Sequence, residues 1–158
     1  MDYTSIFSMH QELSLIAVFL LTFVMDLFLP EEHRYLARRG ACIALSIHLV
    51  LNIVPDEVVL FGGMYHSTPM ASVMKSILTL GTILVFLQSS DWLKRQDVKH
   101  KNGEFYILTL STLIGMYFMV SAGHFLLFFL GLELATVPMA CLIAFDKYKG
   151  NSAEAGAK

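Results

Sequence analysis

The chain has 158 residues, of which 56% are hydrophobic and only 15% are charged. The apolar residues stand in long continuous runs, which excludes an ordinary soluble domain, and the low charge content excludes a disordered chain. The net charge of −2 provides no basic field for nucleic acid. Two cysteines, Cys42 and Cys141, lie inside apolar runs and form neither a metal-ligand motif nor a disulfide framework.

Five apolar runs have the length of a membrane-spanning helix, which needs about 20 residues. In chain order they cover residues 13–29, 36–54, 70–90, 104–122 and 123–145. Because the runs are continuous, helices are favoured over a β-barrel, whose strands would alternate apolar and polar residues. The sequence therefore predicts an all-α polytopic transmembrane helix bundle of about five helices, forming a single transmembrane region over residues 1–158.

The lysines and arginines predict the orientation of these helices. The numbers of basic residues in the stretches 1–12, 31–39, 55–69, 91–103, the turn at 122–123 and the tail after 145 are 0, 3, 0, 4, 0 and 3, where the 3 of stretch 31–39 includes Arg38 and Arg39 at the start of the second run. Since basic residues accumulate on the cytoplasmic side, the N-terminus is expected outside and the C-terminus in the cytoplasm or an equivalent compartment. The N-terminal segment before residue 13 has no basic residue, which argues against a cleavable signal peptide. Gly62 and Gly63 suggest a turn in the longest outer segment, residues 55–68.

Glu133 is the clearest candidate functional residue. It lies near the middle of the last predicted span, where a charged side chain costs about 2.5–3.5 kcal/mol to insert. No Lys or Arg is close enough in sequence to pair with it on the same helix. Pro138, five residues later, lacks a backbone N–H and should kink or loosen the helix beside the carboxylate. Glu133 is therefore predicted to carry a proton, and the alternative is a protonated side chain that joins helices by hydrogen bonds.

The other polar residues within the runs have simpler explanations. Lys75 lies near the outer end of the third span and can snorkel to the interface, with pairing to an acidic group as the alternative. His124, at the outer turn, is expected to be solvated and is a weaker candidate for a proton pathway. His48 and Asn52 share a helix face and suggest hydrogen bonds between helices.

Two acidic residues near helix ends are expected to be structural. Asp26 can reach the interface or the region of Arg38, and Glu104 opens the fourth helix, where the helix dipole favours a carboxylate. The sequence carries no motif of a soluble enzyme, such as a phosphate loop or a zinc-protease pair of histidines.

Two stretches resemble the antiporter-like membrane subunits of respiratory complex I, the bacterial NADH-quinone oxidoreductase. The stretches are EFYILTL at 104–110 and FLGLELATVP at 129–138. The tail at 151–158 also resembles the lead-in to the next helix of that family. Residues 66–69 depart from the family, which often has an acidic residue there, before the third helix.

The resemblance implies a membrane-arm subunit of a proton-pumping NADH-quinone oxidoreductase in the bacterial inner (plasma) membrane. Its partners would be the other membrane-arm subunits and the lipid bilayer. Electron transfer from NADH to quinone would drive protons through it, with Glu133 in the proton pathway and paired with a lysine of a later helix. The chain itself would bind no cofactor, since NADH, flavin, iron–sulfur clusters and quinone would belong to other subunits.

Members of that family are much longer than this sequence. The resemblance therefore implies the N-terminal part of a larger subunit, which would not catalyse alone. Two alternatives stay open. One is a subunit of a multi-subunit cation/proton antiporter, which shares the helix pattern and the glutamate. The other is a membrane scaffold without a transport role, in which Glu133 only joins helices.

Overall fold

The structure is a computed structural model that describes residues 7–28, 34–52, 57–93, 102–145 and 150–157. It is a bundle of α-helices with one short β-hairpin. The helices are α1 (His10–Phe28), α2 (Arg34–Leu51), α3 (Pro69–Trp92), α4 (Asn102–Val120), α5 (Phe125–Ile143) and α6 (Gly150–Ala157). Each of the first five corresponds to one predicted span, so the predicted fold class is confirmed.

The helix ends differ from the prediction by a few residues. Helix α1 begins at His10, three residues before the predicted start, because Gln11 and Glu12 continue the helix with buried side chains. From the sequence, polar residues next to an apolar run are predicted to lie in a loop. In the structure, these two residues are helical, and their side chains are buried against other polar groups. The short α6 follows in the tail, where the Ser152 hydroxyl donates to the carbonyl oxygen of Ile143 at 2.9 Å.

Four helices of the described residues are long and apolar enough to span a membrane. They are His10–Phe28, Pro69–Ser89, Gly103–Val120 and Phe125–Ile143. A shorter apolar stretch, Arg39–Leu51, lies in α2. The chain is therefore a multi-pass membrane protein, while a crossing by α2 and the predicted orientation stay predictions.

Helix α4 lies at the centre of the bundle and contacts α1, α2, α3 and α5. The buried cluster around it includes Leu15, Leu45, Phe86, Tyr106, Leu110 and Leu113. The rings of Phe86 and Tyr106 meet edge to face with 4.8 Å between their centroids, an arrangement that aromatic pairs favour. Large apolar side chains cover the outer surfaces of α1, α3 and α5, as expected for helices that face lipid or further apolar helices.

The segment between α2 and α3 forms a hairpin. Strands β1 (Val58–Leu60) and β2 (Tyr65–Ser67) pair antiparallel. The turn between them contains Gly62 and Gly63 with φ of 65° and 92°, a backbone region that glycine adopts without a steric penalty. The turn predicted at these two glycines is therefore confirmed.

The hairpin is attached to the turn between α4 and α5. The backbone N–H of His66 donates to the carbonyl oxygen of Ser121, and that of Gly123 donates to Met64, both at 2.9 Å. A side chain at Gly123 would collide with the carbonyl oxygen of Gly63. These contacts hold the hairpin over one end of the bundle.

Candidate functional site

Polar side chains are buried at the end of the bundle where the hairpin lies. Two connected groups are present. The Glu12–Lys75 cluster consists of Gln11, Glu12, Tyr65, Ser72, Lys75 and Ser121. The His48–Tyr117 chain consists of Ser14, His48, Asn52, Thr79 and Tyr117. Helices α1 and α3 begin beside these groups and α2 and α4 end beside them, so four helices contribute to one site.

The centre of the first cluster is an ion pair between α1 and α3. Lys75 Nζ lies 2.6 Å from Glu12 Oε1, and the two side chains are 2% and 1% exposed. The expectation that Lys75 snorkels to the interface is therefore wrong, and the alternative of an acidic partner is correct. Lys75 points into the bundle because Glu12, on α1, offers the ammonium an ionic partner at 2.6 Å.

Neutral groups complete the shell of the ion pair. Tyr65 donates its hydroxyl to Glu12 Oε2 at 2.8 Å, and Ser121 donates to Oε1 at 3.2 Å. Lys75 Nζ also donates to Gln11 Oε1 at 3.2 Å. A buried ion pair is tolerated only when further hydrogen bonds satisfy its remaining lone pairs and protons. The cluster meets that condition with residues from two helices, the hairpin and the turn after α4.

Tyr65 closes the cluster from the hairpin. Burial, and then the negative charge of Glu12, raises the pKa of the Tyr65 hydroxyl above its ordinary value of 10.0. The phenol therefore stays protonated at physiological pH and acts as a donor. Lys75 Nζ lies 5.6 Å from the centroid of the Tyr65 ring, within cation–π distance.

Replacing Tyr65 with Phe is expected to destabilise the protein by about 1.5–3 kcal/mol, because a hydrogen bond to a charged acceptor is lost and Glu12 Oε2 stays buried. The measurement is the heat-induced aggregation temperature of the purified membrane complex. Val59→Ala is the control, since Val59 is an exposed residue of the same hairpin. An unchanged temperature for Tyr65→Phe would contradict the assigned hydrogen bond.

The His48–Tyr117 chain runs beside the ion pair. The Tyr117 hydroxyl lies 2.6 Å from Thr79 Oγ1 and 3.0 Å from His48 Nε2. On the other side of the ring, His48 Nδ1 lies 2.9 Å from Ser14 Oγ and 3.2 Å from Asn52 Nδ2. The predicted interhelical role of His48 and Asn52 is thus present in the structure, and it joins α2 to α1 and α4.

The two groups meet at Lys75. The carbonyl oxygen of Lys75 accepts from Thr79 at 3.0 Å and from Tyr117 at 3.4 Å. Lys75 Nζ lies 5.6 Å from the centroid of the Tyr117 ring. The charge on Lys75 therefore lies within cation–π distance of a chain of hydroxyl and imidazole groups that can each donate and accept hydrogen bonds.

The structure places Glu133 apart from this site. Glu133 is the ninth of the 19 residues of α5, next to its midpoint, and its side chain is exposed. It makes no ion pair with another described residue, and Lys75 is not in contact with it. His124 is exposed and caps α5 by accepting the N–H of Leu126 at 3.2 Å, which gives it a structural role.

The remaining predicted residues lie inside α5 or near the ends of α1 and α4. Pro138 is buried inside α5, whose helix continues to Ile143, so the kink stays a prediction. Asp26 lies against Gly103 in the first turn of α4, where the helix dipole favours a carboxylate, and Glu104 is exposed in the same turn. The side chain of Arg38 lies outside the described residues. Within the described ranges, no group of three or more His, Cys, Asp or Glu is arranged to hold a metal ion.

Glu12 and Tyr117 are the main site residues that the sequence prediction missed. Glu12 was assigned to the segment before the first helix, and Tyr117 to an apolar run. One signal was available, because the predicted topology already puts Glu12 and Lys75 at the same outer face of the membrane. An acid and a base at one membrane face are candidates for pairing even when 63 residues separate them.

The chain was compared with protein-family models and with curated proteins. No family model matches the chain. It is 75% identical over all 158 residues to NADH-quinone oxidoreductase subunit N of Phocaeicola vulgatus, and 39% identical over 161 aligned residues to the subunit N of Azobacteroides pseudotrichonymphae. Each of these alignments covers the whole chain and 34% of the relative.

A more distant relative extends the comparison. The subunit N of Desulforamulus reducens is 34% identical over 149 residues, which cover 93% of this chain and 31% of the relative. The chain thus spans about a third of the length of the curated relatives that it matches. The resemblance to the antiporter-like membrane subunits of respiratory complex I is therefore confirmed, since these three relatives are each subunit N of NADH-quinone oxidoreductase.

Proposed function

We propose that this chain acts within a membrane-arm subunit of a proton-pumping NADH-quinone oxidoreductase in the bacterial inner membrane. The observation that carries the proposal is the similarity to subunit N along the entire chain. The apolar helix bundle supports it, since a proton-translocating subunit must cross the bilayer. Other membrane-arm subunits would be its partners, and subunits elsewhere in the complex would hold NADH, flavin, the iron–sulfur clusters and quinone.

The position of Glu133 supports a role in proton translocation. At 1.5 Å per residue, the carboxylate lies about 12 Å from the first residue of α5, well inside an apolar span. The side chain is exposed on the bundle surface, where a group from another helix can approach it. A polar residue kept at this depth is costly unless it has a partner or a function.

Glu133 would work as a proton carrier whose charge depends on its surroundings. A cation that approaches the carboxylate favours the ionised form, and its withdrawal favours uptake of a proton. Such coupling is strong in a medium of low dielectric constant, because the interaction between two charges scales inversely with that constant. Electron transfer from NADH to quinone would drive the approach and withdrawal of the partner.

Replacing Glu133 with Gln in the intact complex is expected to reduce proton uptake strongly while the complex still assembles. Gln is close in size to Glu but cannot ionise, so packing is kept and proton exchange is lost. The measurements are the amount of assembled complex on native gels, the rate of NADH oxidation by quinone, and proton uptake by inverted membrane vesicles.

The matched control is Glu104→Gln, which makes the same chemical change at an exposed carboxylate in the first turn of α4. We expect this variant to pump normally. Normal proton uptake by an assembled Glu133→Gln complex would refute the role of Glu133. A defect in assembly alone would instead favour a scaffold in which Glu133 joins helices.

A further inference from the structure

The Glu12–Lys75 pair is almost completely buried. Moving a carboxylate and an ammonium out of water is costly, and an apolar pair of similar volume is often at least as stable. The two side chains are nevertheless 1–2% exposed, with Glu12 in the first turn of α1 and Lys75 as the seventh residue of α3. The pair therefore needs an explanation beyond packing.

The arrangement of donors around Glu12 favours binding of a proton over binding of a metal cation. Around Glu12, the neighbours are donors, namely the Lys75 ammonium on Oε1 and the Tyr65 hydroxyl on Oε2. The ammonium occupies the place that a metal cation would need, so a cation is not favoured. A proton can move from Lys75 Nζ to Glu12 Oε1 across 2.6 Å, breaking one N–H bond and forming one O–H bond. Both groups then become neutral, which is the form that low dielectric surroundings favour.

The surroundings of the pair allow its protonation to change without an isolated buried charge. Tyr65 donates a hydrogen bond to the ionised carboxylate and can also accept a hydrogen bond from the neutral acid, because a hydroxyl rotates. On the other side, Lys75 contacts the ring of Tyr117, whose hydroxyl lies 3.0 Å from the imidazole of His48. A change of charge on Lys75 is therefore felt directly by a second group that can bind a proton.

We propose that the Glu12–Lys75 pair is a proton-binding site of this protein, separate from Glu133, at the end of the bundle that carries the hairpin. The inference rests on the proposed function, since only a proton-translocating complex gives the site protons to exchange. It adds a second protonatable position, on α1 and α3, to the one on α5.

The test is Lys75→Arg in the intact complex. Arginine keeps the positive charge and the ion pair, but it does not release its proton at accessible pH. A purely structural pair would tolerate this change, whereas a proton-binding site would not. We expect the Lys75→Arg complex to assemble, to oxidise NADH more slowly, and to lose most of its proton uptake. Lys101→Arg, the same change in a predicted cytoplasmic segment, is the matched control and is expected to pump normally.

A second variant tests the site without the larger arginine side chain, whose size alone could impair Lys75→Arg. In the double variant Glu12→Gln with Lys75→Met, both charges are removed while the side-chain volumes are kept. We expect it to assemble and to lose most of its proton uptake. Normal proton uptake by either assembled variant would overturn the proposal. Failure of the double variant to assemble would also overturn it, because the pair would then be a structural element that neutral groups cannot replace.

The variant at Glu133 separates this inference from the proposed function. If Glu133→Gln abolishes pumping while Lys75→Arg keeps it, only the site at Glu12 and Lys75 is refuted. If the unmodified complex does not translocate protons, the proposed function fails and the inference fails with it. Loss of proton uptake in both variants, with pumping intact in the two controls, supports both.

Discussion

Replacing Lys75 with Met is expected to remove most of the assembled protein from the membrane. The substitution leaves the Glu12 carboxylate buried without its cation, and breaking a buried ion pair by removing one partner costs about 3–5 kcal/mol. That is a large part of the stability of a typical folded domain. The measurement is the amount of assembled complex recovered from membranes, together with its heat-induced aggregation temperature.

The double variant Glu12→Gln with Lys75→Met is the control for this loss. Once both charges are gone, no uncompensated charge is left, and the stability is expected to return close to that of the unmodified protein. The difference between the double variant and the sum of the single variants measures the coupling energy of the pair. A Lys75→Met protein that accumulates normally would contradict the expected cost of leaving the Glu12 carboxylate buried without its cation.

The helices could be predicted from the sequence because each one depends mainly on its own composition. An apolar run of the right length must form a helix in lipid, wherever its neighbours lie. The helix ends were less predictable, since the start of α1 at His10 depends on tertiary burial of Gln11 and Glu12. The position of Glu133 near the middle of a span also followed from counting residues along one helix.

The contacts of Lys75 could not be predicted in this way. Whether a lysine near a helix end reaches the interface or turns inward depends on what surrounds it. In this protein, the hairpin places Tyr65 over the cluster, and Glu12 offers an acceptor on α1. Composition gives no information about either contact, because the three residues are far apart in sequence and meet only when the helices pack.

Replacing Gly115 with Leu is expected to separate α4 from α5 and to prevent normal assembly. A Cβ atom at Gly115 would lie 2.5 Å from the backbone nitrogen of Ala135 and 2.7 Å from the carbonyl oxygen of Gly131. Small residues let membrane helices approach closely, and backbone atoms cannot move aside as a flexible side chain can. Overpacking a well-packed interior costs about 1–3 kcal/mol, and a clash with a helix backbone belongs at the upper end of that range or beyond it.

The effect should extend to proton uptake, because α5 carries Glu133. Any Gly115→Leu complex that still assembles is expected to hold Glu133 in a displaced position and to pump poorly. The matched control is Gly81→Leu on α3, where a Cβ atom would meet nothing within 4 Å. We expect this control to assemble and pump normally, since the change is the same and only the space around the glycine differs. Equal behaviour of the two variants would contradict the close contact between α4 and α5, and with it the geometry that positions Glu133.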